Sequence, residues 1–439
     1  MPIDFTLTPE QEQLKAAARK FGQEVLAPCR EAYLKLGTQL ERYQATREAY
    51  GKLIEDGWIK IQIPESEGGT RKSLIDIAII AEEFFAYDSS LPITWLVTGL
   101  GLAPIFMYGT EAQKKEFLEP FLMLEGTPLA ALGFSEPTGS ANYLQNEGGL
   151  GVQTFAEVRG DEVIINGGKK WASSSGGWEF KGPEVLSLLC RFSDKGAPKD
   201  TLGFVVITRK EFDSAANEGR FKVTSDIETH GFTASSGPCT QFTDFRVPAK
   251  NILAPPGHGA LLNVAAFTES AALVGAGAAG LMRSCFEHTL KIVTTDKRGG
   301  SVPTISYQTV ADYLISMKMR EETTRYLTWK ACHYLETTGE TELAYQAKVY
   351  GSENAIQHVL EAMQAVGVNS YDTSQPYGKL MDDALCLPIF EGSNAGVRRR
   401  QIQKIFSTPG YDPESAASNK PWSKAPPAGF PQNFLHAYA

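Results

Sequence analysis

Cysteine is scarce in this sequence and widely scattered. The six, Cys29, Cys190, Cys239, Cys285, Cys332 and Cys386, form no C-x-x-C pair, which excludes a disulfide framework or thiolate zinc site and fits a reducing compartment. The six histidines, His230, His258, His288, His333, His358 and His436, show no i, i+4 pairing, so no helical metal motif exists and no metal is expected. The formal charge of −9 is spread without a basic block, against a nucleic-acid partner that needs a concentrated positive face. The one cationic run, Arg398-Arg399-Arg400, reads alone as a solvated helix face. No run approaches ~18 consecutive apolar residues, and the first residues lack a basic segment followed by an apolar one. Neither membrane insertion nor secretion is therefore expected. The final Ala-Tyr-Ala differs from the Ser-Lys-Leu address, which leaves the cytoplasm as the expected location. No G-x-G-x-x-G follows a strand, and no G-x-x-x-x-G-K-[ST] occurs. The near miss Gly275-Ala-Gly277-Ala-Ala-Gly280 lies in an alanine-rich helical run, where close helix packing explains it better.

What is present is an ordinary globular composition, 42% hydrophobic and 21% charged, long enough for two or three domains. Leu7-Thr8-Pro9-Glu10-Gln11 is a helix start: Thr8 caps, Pro9 fits the first turn and Gln11 completes a capping box. Helical periodicity follows and recurs at Leu74 to Phe85 and Glu111 to Leu124, giving an N-terminal helical domain over 1–130. Phe155 to Val158, Val163 to Ile165, Leu202 to Thr208 and Phe242 to Val247 are short β-rich runs separated by turn signals such as Gly160-Asp161 and Asn166-Gly167. They predict a small antiparallel β domain over 131–250. Ala265 to Thr295, Gln308 to Glu336, Ala344 to Val366 and Gly396 to Phe406 predict a C-terminal helical bundle over 251–406. This order is that of an α+β protein with segregated layers, not of a βαβ sheet. Residues 407–439, rich in proline, read as an extended tail draped over the surface or partly disordered.

Five separated segments stand out for their chemistry. Phe134-Ser135-Glu136-Pro137-Thr138-Gly139-Ser140 and Lys170-Trp171-Ala172-Ser173 offer small hydroxyls and a flat apolar wall. Arg298-Gly-Gly-Ser, with Gln308 downstream, offers a planar guanidinium suited to phosphate. Gln364-Ala-Val-Gly367 offers a glycine for close backbone approach, and Ile389-Phe390-Glu391-Gly392-Ser393-Asn394 offers a carboxylate. Each has a bland reading by itself, the last as a charged helix cap. Together, and in this order from about Phe5 to Phe406, they resemble the T-E-P-x-x-G-S, K-x-W-I-T, R-x-x-F-G, Q-x-x-G-G and I-Y-E-G-T signatures of the acyl-CoA dehydrogenase superfamily.

The resemblance implies that family's fold, with a C-terminal four-helix bundle, and FAD as cofactor. It places Leu132, Phe134, Ser135, Ser140, Trp171, Ser173 and Ser393 against FAD, Arg298 and Gln308 at its pyrophosphate, and Gln364 and Gly367 at a neighbouring subunit's FAD. Val368 stands where the family has a second glycine. A homotetramer with FAD sites shared between subunits follows, with Glu391 as the base that removes a carbon-bound proton. Burial against a flavin disfavours a carboxylate's charge and brings its basicity toward working pH.

Within the family, Ser140-Ala-Asn-Tyr-Leu-Gln145, Ser175-Gly-Gly-Trp178, Arg298-Gly-Gly-Ser301 and Asn394-Ala-Gly-Val-Arg-Arg-Arg-Gln401 resemble the nitroalkane oxidase branch. That branch places active-site serines at Ser173 and Ser270 and pairs its base with an arginine at Arg398. It uses aspartate as base, whereas Glu391 is the dehydrogenase choice. Ala271 stands where many dehydrogenases carry arginine, and Ala141-Asn142 replaces their usual aspartate. Two activities are thus expected: oxidation of a nitroalkane to aldehyde, nitrite and hydrogen peroxide, or α,β-desaturation of an acyl thioester or related carbonyl compound. The second would hand electrons to an electron-transfer flavoprotein. A catalytically silent interaction module is the third and weakest reading.

Overall fold

A computed structural model describes residues 5–145 and 150–422. Helix α1 (Pro9–Phe21) starts with Thr8 and Gln11 in the reciprocal capping box that the sequence predicts. Helices α2 (Leu74–Phe85), α3 (Ser90–Tyr108) and α4 (Glu111–Leu122) complete the main N-terminal layer. The sheet follows as β1 (Ala130–Gly133), β2 (Phe155–Arg159), β3 (Glu162–Lys169), β4 (Val185–Arg191), β5 (Leu202–Thr208), β6 (Phe221–Ser225), β7 (Cys239–Pro248) and β8 (Ile252–Ala254). The C-terminal bundle holds α5 (Gly259–Thr295), α6 (Gln308–Thr338), α7 (Glu342–Val366), α8 (Tyr377–Cys386) and α9 (Arg399–Phe406).

The strand order is β6-β7-β3-β2-β4-β5-β8, with β1 beside β4. Most pairs are antiparallel; β1 runs parallel to β4, and β2 meets β4 in parallel at Phe155 and Arg191. Strands β1 and β4 escape the sequence reading because both are buried almost throughout, which removes the alternation that marks a half-exposed strand.

Small residues and a charge network hold the helical layers together. A Cβ at Gly275 would lie 2.4 Å from Thr328 Oγ1, one at Gly277 3.0 Å from the Phe85 ring, and one at Gly280 2.3 Å from the Glu82 carbonyl oxygen. The run resembling a nucleotide loop is thus the surface on which α2, α6 and α5 pack. Arg283 donates to both carboxylate oxygens of Glu83 at 2.6 and 2.7 Å, and Arg325 donates to Glu82 and Glu321. By length and composition α3 and α5 could cross a membrane, yet each has 78% of that stretch buried inside the molecule as core.

As far as residue 422 the tail lies over the bundle. A short helix, Ser415–Ser418, lies against α6 and α7: Tyr334 Oη donates to Ser415 Oγ at 3.2 Å, Tyr411 Oη to Glu342 at 3.0 Å, and the Trp422 N–H to Glu340 at 3.0 Å. Residues 423–439 lie outside the described residues.

Candidate active site

A cavity of about 730 Å³ opens between α3, the β1 end of the sheet, α5 and the segment after α8. Most of its wall is apolar, with Leu74, Ile77, Leu96, Phe106, Phe267 and Leu273 prominent. Glu391 projects into it from an unusual backbone. Glu391 has φ +53° and Gly392 φ +72°, two successive left-handed residues, a conformation costing a glutamate on the order of 1–3 kcal/mol. A Cβ at Gly392 would come within 3.0 Å of Arg398 Nε, so both conformation and space demand glycine there.

The turn is held from behind. Arg398 is buried, and its Nε and Nη2 donate to the Glu391 carbonyl oxygen at 2.9 and 2.7 Å, while Nη2 also reaches the Phe267 carbonyl oxygen at 2.9 Å. The guanidinium lies 5.0 Å from the Tyr345 ring centroid. The arginine thus grips the main chain of Glu391, where the sequence reading pairs it simply with the base. The carboxylate itself accepts a hydrogen bond from Ser270 Oγ at 2.6 Å. Burial pushes the Glu391 carboxyl above its usual range, against the Ser270 hydrogen bond and the positive charges of Arg398 and Lys348, which pull it down.

Glu136, next to the cavity-lining Ser135, and Lys169, two residues before Trp171, form a buried ion pair at 2.8 Å. Glu136 also accepts from the main-chain N–H groups of Gln153 and Thr154, and the Lys170 N–H donates to the Ser135 carbonyl oxygen. The two segments bearing Ser135 and Trp171 are thereby tied edge to edge. Trp171 stands at φ +66° with 51% of its surface exposed beside the cavity. Ser135, Ser140 and Ser173 also bring hydroxyls to the lining of the cavity. An exposed indole, with the Lys170 ammonium 5.2 Å from its centroid, and three serines lining the same largely apolar cavity as a carboxylate fit a flat ring with one polar edge, as a flavin is.

The cavity brings together Leu132, Phe134, Ser135, Ser140, Trp171, Ser173, Ser270, Glu391, Ser393 and Arg398. Ser393 Oγ is partly engaged, accepting from the Gly396 N–H at 3.2 Å as a helix cap. Arg298, Gln308, Gln364 and Gly367 do not line it. Arg298 pairs with Asp296 at 2.6 Å, Gln308 donates to Asp312, and a Cβ at Gly367 would sit 3.2 Å from Arg298 Nη1. These residues belong to the ends of α5, α6 and α7, away from Glu391.

Sequence reading also missed residues of the site. Lys348 and Asn394 lie behind Glu391 and are joined at 2.6 Å; Lys348 sits on the buried stripe of α7. Arg71 and Glu269 form an ion pair at 3.0 Å on the cavity wall, and nothing short of the fold brings them together.

Known proteins match this arrangement over almost the whole chain. Residues 8–125 match the acyl-CoA dehydrogenase N-terminal domain and residues 257–406 its C-terminal domain. Nitroalkane oxidase of Podospora anserina is 41% identical, covering 94% of this chain and 98% of that one. The chain belongs to the acyl-CoA dehydrogenase superfamily. As a member it is an FAD-dependent oxidoreductase. Fusarium oxysporum nitroalkane oxidase is 40% identical over 94% of this chain and 97% of its own length. An active-site mutant of nitroalkane oxidase crystallized with 1-nitrooctane superposes with a TM-score of 0.92, covering 95% of this chain and all of that one at 38% identity. Another solved nitroalkane oxidase is described by the roles of an arginine and an aspartate in its reaction, separated along the chain as Arg398 and Glu391 are here. A probable medium-chain acyl-CoA dehydrogenase of Caenorhabditis briggsae is 28% identical over 92% of this chain.

Proposed function

We propose that this enzyme oxidises small nitroalkanes or a similarly acidic C–H substrate, with Glu391 removing the α-proton. The observation that carries the reading is the carboxylate of Glu391, hydrogen-bonded by Ser270 at 2.6 Å and backed by Arg398, at the wall of an apolar cavity. Leu132, Phe134, Ser135, Ser140, Trp171, Ser173 and Ser393 would hold the cofactor. FAD, when bound, would supply the two-electron acceptor; overall, nitroalkane, dioxygen and water would give aldehyde, nitrite and hydrogen peroxide.

The chain's own residues supply the rest. Burial raises the basicity of Glu391, and Ser270 fixes the carboxylate so that one oxygen remains for the proton. Arg398, by holding the Glu391 carbonyl, keeps the carboxylate aimed into the cavity. The apolar wall excludes water and accepts an alkyl chain.

Desaturation of an acyl thioester is the second reading, supported by glutamate as base and by the acyl-CoA dehydrogenase relative. Anaerobic titration separates the two. Bleaching of the bound flavin by nitroethane or a longer nitroalkane, with nitrite release, is expected; bleaching by acyl-CoAs alone would reverse the choice and point to an electron-transfer flavoprotein as acceptor.

We also propose a homotetramer whose FAD sites are shared. Ile315, Met319, Val368 and Tyr371 on the C-terminal bundle are 56%, 63%, 69% and 77% exposed. Val368 follows Gly367, where a Cβ would lie 3.2 Å from Arg298 Nη1, and a neighbouring copy docked there would bring Arg298 and Gly367 to its own cofactor.

A further inference from the structure

Lys348 is fully buried on the inner face of α7, in a stripe with Tyr345, Ser352, Ala355 and Val359. A lysine in such a place costs several kcal/mol of desolvation, and a methionine would fill the same volume without that cost. Its Nζ donates to Asn394 Oδ1 at 2.6 Å. Asn394 is the fixed point of the loop carrying the base. Its side-chain amide donates to Ser352 Oγ at 3.0 Å and Glu353 Oε1 at 3.1 Å, and its main-chain N–H closes onto the Pro388 carbonyl oxygen at 2.9 Å. Between Pro388 and Asn394 lie the two left-handed residues Glu391 and Gly392.

We propose that Lys348 is a positioning residue for the base: through Asn394 it ties the Pro388–Asn394 loop to α7, and its charge, beside that of Arg398, favours the carboxylate form of Glu391. The inference rests on Glu391 being the base. The charged groups facing Lys348 are Arg398 and Glu391 across the loop and Glu353 on its own helix, the last paired with Arg399 at 2.7 Å. Burial pulls the Lys348 ammonium down to about 7, Arg398 acts in the same direction, and Glu391 and Glu353 oppose them. Lys348 is therefore charged on the acid side of neutrality, where its loss should let the Glu391 pKa climb.

The test uses the FAD-loaded enzyme and whichever substrate bleaches its flavin, comparing wild type, Lys348→Met, Lys348→Gln, Asn394→Ala and Glu391→Gln. Both Lys348 variants should move the acid limb of kcat/KM upward by about one pH unit or more, with FAD content retained. Lys348→Gln keeps a polar group near Asn394, so it tests the charge even if Lys348→Met does not fold. Asn394→Ala keeps the charge: its limb should stay in place while kcat falls roughly 10- to 100-fold at nearly constant KM. The same movement should be read without turnover as titration of a carboxyl infrared band of the apoprotein that Glu391→Gln lacks. Lys348 variants whose pH profile and carboxyl titration overlay wild type would overturn the proposal. Turnover surviving in Glu391→Gln would instead overturn the base assignment on which it rests.

Discussion

Ser270 donates its hydroxyl to Oε2 of Glu391 at 2.6 Å, from the helix α5 to a loop 121 residues further along the chain. That hydrogen bond holds down a carboxyl that burial pushes up, so Ser270→Ala should raise the pKa of Glu391. Because the base acts deprotonated, the acid limb of kcat/KM should move to higher pH. At a fixed pH below the limb, activity should fall about 10-fold for every pH unit that the limb moves. A pH profile of the alanine variant checks this, and an unmoved limb would count against it.

Trp171 holds φ +66° while leaving 51% of its surface exposed, as expected of a side chain that serves the proposed cofactor site. Trp171→Gly removes the indole and relieves the left-handed strain. FAD affinity should drop by about 10-fold or more, while the melting temperature of the apoprotein stays within a few degrees of wild type. Fluorescence titration with FAD and thermal melts without it separate the two effects.

The Glu136–Lys169 pair is a folding device for the cofactor wall. Burial alone would raise Glu136, but the Lys169 charge and hydrogen bonds from Lys169, Gln153 and Thr154 outweigh it and hold the carboxyl below its usual range. With the folded pKa depressed, this stabilisation is present above the unfolded pKa and is lost as pH falls through the folded one. Lys169→Met leaves a buried carboxylate unpaired and should cost about 3–5 kcal/mol. The difference from wild type should be largest near neutral pH and narrow as pH falls and Glu136 takes up a proton. Equal denaturant midpoints for variant and wild type would contradict this.

Local order was legible in the sequence wherever local rules decide it. The Thr8–Gln11 capping box, the α2 boundaries and strand β5 follow from caps, periodicity and β-rich composition. Glu391, Ser135 and Trp171, which the fold brings to one cavity, stand out in the sequence because their motifs are short and contiguous. What could not be read depends on distant parts of the chain. Lys348 reads as an ordinary helical lysine until α7 meets the Pro388–Asn394 loop, and Arg71 finds Glu269 only through the packed fold. Strand β4 hides because burial on both faces erases its alternation. The prolines of the tail say nothing of what it lies against; Tyr411 and Trp422 anchor it to α7 and the turn before it.

Assembly is tested on the apolar face of α6. Met319→Glu combined with Ile315→Lys should split the oligomer, seen as a smaller mass by light scattering. FAD affinity should fall with it, because Arg298 and Gly367 would no longer reach a neighbouring site. An unchanged mass would refute the shared-site arrangement on this face.

The most direct test of the central claim, that Glu391 removes a carbon-bound proton, is anaerobic flavin reduction in Glu391→Gln by one nitroalkane supplied in two forms. Presented as the neutral compound it should react at least about 100-fold more slowly than in wild type. Presented as the pre-ionised nitronate it should react at close to the wild-type rate, since the proton is already gone. Equal impairment with both forms, or none with the neutral form, would contradict the role assigned to Glu391.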